Sequence, residues 1–281
     1  MKSLISVLLA GLIVMPITIS CDAVTSRSTE QVDSVATELL KLSDTTSFVK
    51  ANGEKCDIYA DATIHYPIGW GQNNNLAMLQ QWFVTQVLDA PDSLTLQQAM
   101  TQSVVNTMHQ YDMTTAQSQD ESLDDGDDTE AVYRYNTSTN ITVYGQQHGV
   151  LTMCKVEKVM KNGQVTSITH RYYNFDLVNA VAVELGKMFR DDAMSDVCQL
   201  LKKQLLSQNK ATSDEQLNEL GFFNADNLTV TRNFFFDEGG VTWSYLPNEL
   251  AVEAVGEPRI SLSYELLKTL ASDGSILNRF D

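Results

Sequence analysis

Residues Phe234 to Ala251 run FFFDEGGVTWSYLPNELA, three phenylalanines leading into Gly239-Gly240 and on to a proline loop. Side chains alternate across an extended chain, so Phe234 and Phe236 before the turn share one face with Val241, Trp243 and Tyr245 after it. Phe235, Thr242 and Ser244 take the other face. Burying one such aromatic is worth about 1.5–3 kcal/mol, so this ribbon is read as core and not as a site. The continuation LPNELAVEAVGEP has no strand pattern and carries two prolines, which places it on the surface. Pro247, Glu249, Glu253 and Glu257 are therefore candidate binding residues on an acidic rim.

Working outward, RISLSY alternates Ile260, Leu262 and Tyr264 before a last helix over Glu265 to Leu270. Upstream, Met194, Val197, Leu201 and Leu205 repeat at helical spacing, and Ser213 with Gln216 caps a short helix that stops at Gly221. Tyr133 to Asp176 alternates apolar and polar residues over several strands, with an Asn162-Gly163 hairpin turn. Two helices are expected before it. The first covers Asn75 to Leu88, with Leu76, Leu79, Phe83 and Val87 on one stripe; the second starts near Ser93 or Thr95.

Asn52-Gly53 closes another hairpin, whose second strand carries Ile58, Ala60, Ala62 and Ile64 on one side and ends at Pro67. Ser28 and Gln31 form a capping box for a short helix through Val32, Val35, Leu39 and Leu40. Strand groups separated by helical groups give an α+β fold, mainly antiparallel sheet with hairpins and packed helices. In PIGWGQNNN, Trp70 stands between glycines. It is either a docking or sugar-stacking residue, or a tryptophan folded back onto the apolar face.

The N-terminal twenty residues look like an address: Lys2, then an apolar run from Leu4 to Val14, too short to span a bilayer, which needs about 20 such residues. ITISCDAV resembles a bacterial lipoprotein signal, which would make Cys21 the acylated residue and the lipid bilayer a partner. Thr18 stands where that signal usually has leucine, and an ordinary secretory signal is the alternative. Expected divisions are a signal peptide at 1–20, a tether with a short helix and first strand at 21–54, an N-terminal partner region at 55–150 and a C-terminal α+β domain at 151–281. The lipid places the chain at the cell envelope.

The net charge is -17. Nucleic acid is thereby an unsuitable ligand, and a basic protein or cationic peptide a suitable one, although solubility alone also accounts for the sign. Gln119 to Glu130, QDESLDDGDDTE, is too acidic to fold by itself, and Leu123 occupies a position where a calcium loop needs oxygen. Cys56, Cys154 and Cys198 are an odd set at wide spacing, better read as buried thiols than as a disulfide or zinc framework. His65, His109, His148 and His170 lack metal-ligand spacing, and no phosphate loop, nucleophile elbow or dinucleotide fingerprint is present. Neither a catalytic residue, a metal nor a cofactor is expected.

From Leu220 the run LGFFNADNLTVTRNFFFDEGGVTWSYLPNELAVEAVGEPRISLSYELLKTL resembles the RsiV-type C-terminal domain family, the ectodomain of a lysozyme-binding anti-sigma factor. The matching elements are Phe234 to Phe236, Gly239-Gly240, Tyr245 with Pro247, Glu249-Leu250-Ala251, Gly256, and Ile260 to Tyr264. YYNFDLVNAVAVELGKMF, Tyr172 to Phe189, resembles that family's NFDL strand, and IYADATIHYP its preceding small domain. Val252-Glu253 replaces the family's Pro-Tyr, and its Gly-Gly-x-His segment is not evident. The resemblance implies a non-catalytic envelope binding domain whose partner is a lysozyme-like muramidase or a peptidoglycan fragment. It does not extend to signalling. The rival reading is a cell-wall glycan-modifying enzyme, or an accessory domain of one.

Overall fold

β1 (Val35–Val49) and β2 (Lys55–Trp70) form an antiparallel hairpin in the computed structural model, which describes residues 34–49, 55–71, 75–117, 132–223, 225 and 228–280. The helix expected through Val35, Leu39 and Leu40 is instead part of β1. Its cap at Ser28 and Gln31, and Val32, lie outside the described residues, as do Cys21, the Asn52-Gly53 turn and the acidic run 119–130. Leu40 and Leu42 face Ile64 and Ala62 across the ladder and pack into the same core. That long-range pairing overrides the helical spacing. Ile58, Ala60, Ala62 and Ile64 are all buried, as the alternation requires. Pro67 does not end β2. The ladder shifts register there, Thr37 pairing with Pro67 and Ala36 with Gly69, so that Ile68 bulges out to 48% exposure.

Two helices cover the large sheet, and four more strands complete it. α1 (Leu76–Trp82) continues directly as a π-helical turn, Phe83–Val87. α2 (Leu96–Gln117) is capped by Thr95, whose Oγ1 accepts from Gln98 N while Gln98 Oε1 accepts from Thr95 N. β3 (Val132–Gln147) then joins β2 in parallel, the one parallel pairing among the described strands. β4 (Val150–Lys161) and β5 (Gln164–Asp176) follow as antiparallel neighbours through a turn in which Asn162 and Gly163 both have positive φ. The two-residue β6 (Val181–Ala182) closes the strand order β1-β2-β3-β4-β5-β6. One face of this sheet buries Ile58, Ile64, Ile141, Met153 and Phe175 against Leu79, Phe83, Val87 and Met100 of the two helices.

A second layer follows. α3 (Leu185–Met188), α4 (Met194–Gln208) and α5 (Asp214–Glu219) precede a small antiparallel sheet, β7 (Phe234–Phe236), β8 (Gly240–Ser244) and β9 (Arg259–Ser263), and α6 (Tyr264–Lys268). The ribbon register pairs Phe234 with Trp243 and Phe236 with Val241. Those residues share a core with Val197, Leu201 and Leu205 of α4. The opposite face is buried too, because the Phe235 ring packs at a tilt on Tyr172 of β5, 4.4 Å between ring centres. Asp237 shapes the turn, its Oδ1 accepting from Gly239 N and Gly240 N and its Oδ2 from Thr242 Oγ1. Cys56 and Cys154 are buried and Cys198 is half-buried. Among the described residues no helix is long and apolar enough to cross a membrane.

Arg279, in the last helical turn (Ile276–Arg279), clamps Asp176 at the end of β5 with two bonds of 2.7 Å. Burial alone would raise the Asp176 carboxyl, but the bonds from Arg279 and Asn179 outweigh it and hold the group below its ordinary value of 3.8. A depressed carboxyl stabilises the fold above its unfolded value and loses that contribution as pH falls through its folded value. Arg279→Ala, which leaves the buried carboxylate unpaired, is therefore expected to destabilise by about 3 kcal/mol at neutral pH, with the difference from the parent shrinking on acidification below pH ~4. Urea unfolding across that range checks it.

At Gly240 a Cβ would collide with the Leu262 carbonyl of β9, whereas at Gly239 the nearest atom is the Asp237 carboxylate oxygen at 3.7 Å. Gly240→Ala should lower stability by about 1–3 kcal/mol and Gly239→Ala by less than about 0.5, both measured by thermal unfolding.

Candidate functional site

Only the final residues of β5 pair with β6, so the outward N–H groups of its middle need partners from elsewhere. Side chains from the second layer supply them. Glu257 Oε1 accepts from His170 N at 2.6 Å while its Oε2 is hydrogen-bonded to His170 Nδ1 at 2.7 Å. Asn233 Oδ1 accepts from Tyr172 N at 2.7 Å, and its Nδ2 donates to the carbonyls of His170 and Ser244, each at 2.9 Å. Asn174 donates to Phe234 O and accepts from Thr152 Oγ1, both at 2.7 Å. The two layers are thus joined by amides and a carboxylate standing in for a strand.

The sequence-derived site residues are dispersed by this arrangement. Glu257 is 10% exposed and committed to His170, with Arg259 at 3.8 Å. Trp70 is not a surface residue; it is 4% exposed and meets Phe175 edge-on in the helix-covered core. Pro247 is half-buried, and Glu249 and Glu253 are exposed. Glu249 also accepts from Leu246 N at 2.8 Å, which tightens its own loop.

Glu249 borders a cleft of about 450 Å³ between the layers. Its apolar wall includes Trp82, Tyr172 and Phe234, and Gln86, Arg171, Tyr173 and Arg232 bring the polar groups. Trp82, held 5.1 Å from the Phe175 ring, is the tryptophan that reaches this space, and the helical stripe taken from the sequence passed beside it. Burial pushes the Tyr173 phenol up to about 12, against the pull of Arg171, so it is a protonated donor near neutral pH.

Cys154, Tyr172, His170 and Glu257 lie at the same junction and outline a thiol-imidazole-carboxylate set. The chemistry runs the wrong way for a nucleophile. Burial raises the Cys154 thiol to about 11, despite the hydrogen bond from Tyr172 and the charge of Arg259, whereas a reactive cysteine needs a lowered value. Arg259 instead covers the rings of Tyr172 and Phe235 at 5.9 and 6.0 Å. Among the described residues no group of three His, Cys, Asp or Glu could hold a metal ion.

On the outer side of the rim loop lies an apolar patch. Gly221 ends α5's chain at φ +94°, and the Val252 and Val255 side chains lie over it. Leu220 and Phe223 flank it in sequence, and all four are between 38% and 50% exposed. An antiparallel bridge between Phe222 and Ala251 holds the two segments together. Glu219, at the end of α5, and Glu253 are exposed and adjoin Leu220 and Val252 in sequence.

Residues 187–265 match a family described as "Protein of unknown function (DUF3298)". The fold is similar to the crystal structure of a DUF3298 family member from Bacteroides fragilis, at 18% identity and a TM-score of 0.64, covering 88% of this chain and 98% of that one. It is also similar to a DUF3298 family protein from Pseudomonas aeruginosa, at 13% identity and a TM-score of 0.55, covering 89% of this chain and 99% of the other. No curated protein matches the chain.

Asn233→Ala would strand one buried N–H and two carbonyls at the layer junction, so it is expected to cost at least about 2 kcal/mol in chemical unfolding. Asn233→Asp keeps the acceptor but loses both donated bonds. It should fall between the parent and the alanine variant.

Proposed function

We propose that this chain is a non-catalytic binding protein of the cell envelope, held to a membrane through acylated Cys21. Its partner is a basic extracytoplasmic protein of the lysozyme-like muramidase type. The observation that carries this reading is the exposure of Leu220, Phe223, Val252 and Val255, with the exposed Glu219 and Glu253 next to Leu220 and Val252 in sequence. Exposed apolar surface bordered by polar groups is how docking sites are built, and the carboxylates select a cationic partner. The net charge of -17 acts in the same direction, and seven of those acids fall within residues 119–130. The resemblance of Leu220 to Leu270 to a lysozyme-binding ectodomain supplies the class of partner.

The chain from Asp22 onward is titrated against a basic lysozyme at low and at ~0.5 M salt. Saturable binding that weakens at least about tenfold in high salt, and again at least about tenfold in a Val252→Asp, Glu253→Lys double variant with unchanged melting temperature, is the expected result. Absence of binding at low salt would remove the muramidase from the reading. Release of soluble glycan by the chain itself would favour the enzyme alternative. In cells, Cys21→Ser should abolish incorporation of labelled fatty acid.

A further inference from the structure

The inter-layer cleft is a second site with a different chemistry. Its volume of about 450 Å³ is that of a small-molecule pocket and not of a protein docking surface. Trp82 and Phe234 give it an apolar floor. Asn174 and Asn233 also line it, but their amides are committed to the layer junction. Recognition is left to Arg171, Arg232, Gln86 and the Tyr173 hydroxyl.

The bond from Tyr172 N to Asn233 Oδ1 sets residues 170–174 beside 231–234, which brings Arg171 and Arg232 to one cleft from two chain segments. Arg232 has no carboxylate partner among the described residues. Arg171 meets Glu157 only at 3.7 Å, longer than the 2.7–2.9 Å of a charge-assisted bond. Two guanidiniums with unfilled donors beside an aromatic floor match a planar oxyanion attached to an apolar body. Glu249 at the edge leaves one net positive charge among the ionised lining groups, which suits a monoanion better than a dianionic phosphate.

We propose that this cleft binds a small monocarboxylate with an aromatic or aliphatic body, the carboxylate held by Arg171 and Arg232 and the body packed on Trp82. None of Leu220, Phe223, Val252 or Val255 takes part, so occupancy is independent of the protein partner proposed above.

The test titrates the full chain, in nonionic detergent, with N-acetylphenylalanine and with its neutral amide, following tryptophan fluorescence and calorimetry. The acid should bind saturably with Kd below about 1 mM, and the amide at least about tenfold more weakly. Arg232→Gln, at an exposed position, should bring the acid down to the level of the amide with an unchanged melting temperature. Trp82→Phe should remove the fluorescence response while calorimetry still registers binding. Equal affinity for acid and amide, no saturable binding of the acid up to about 10 mM, or a preference that survives Arg232→Gln would each overturn the site.

Discussion

The whole arrangement depends on how one sheet edge is finished. The middle of β5 has N–H groups that no neighbouring strand takes, and Glu257 and Asn233 take them with side-chain oxygens. A strand added there would have extended the large sheet and left no separate second layer. Short side chains satisfy the same donors while letting the small sheet turn away, and the wedge between the layers becomes the cleft beside Arg171 and Arg232. The carboxylate of Glu257 adds a charge-assisted bond to His170, stronger than a neutral one by roughly a factor of two. A loop that composition would assign to solvent is thereby a structural clamp at Glu257 and a free surface at Glu253.

Charge is distributed with the same division. Residues 119–130 concentrate acids in one stretch of chain, whereas the cleft collects arginines. A strongly acidic chain therefore holds a locally cationic pocket. Such a long-range field would favour a large cationic partner, whereas a small anion would be held only where low-dielectric walls strengthen the local guanidiniums.

The local elements were legible in the sequence. The Phe234–Tyr245 ribbon, the Asn162-Gly163 turn, the Ser213 cap and the Val197, Leu201, Leu205 stripe each follow from a few neighbouring residues. The failures are all long-range. Leu39 and Leu40 mimic a helix, and only the partner strand reveals that Leu40 and Leu42 are the inward pair. Pro67 signals a stop, yet it pairs with Thr37 and the strand runs on to Trp70 past a register shift at Ile68. Trp70 has a glycine-flanked setting that suggests exposure, and Phe175, more than a hundred residues later, is what covers it. Glu257 looks like one rim acid among several because its partner His170 lies 87 residues upstream. Trp82 was findable in principle, since it precedes Phe83 on an amphipathic helix, but nothing local says that one ring faces the core and the other borders a cleft.

The parallel seam between β2 and β3 has a kinetic consequence. Every other strand pair in the large sheet closes through a hairpin or a short connection, but Lys55 to Ile64 must find Val132 to Ile141 across α1, α2 and the intervening chain. Bringing distant segments together loses entropy before any contact is gained, so such pairings slow a fold's assembly. Until synthesis and collapse deliver β3, the β1-β2 hairpin carries an unpaired apolar flank, and the time spent in that half-built condition sets the molecule's exposure to misassociation.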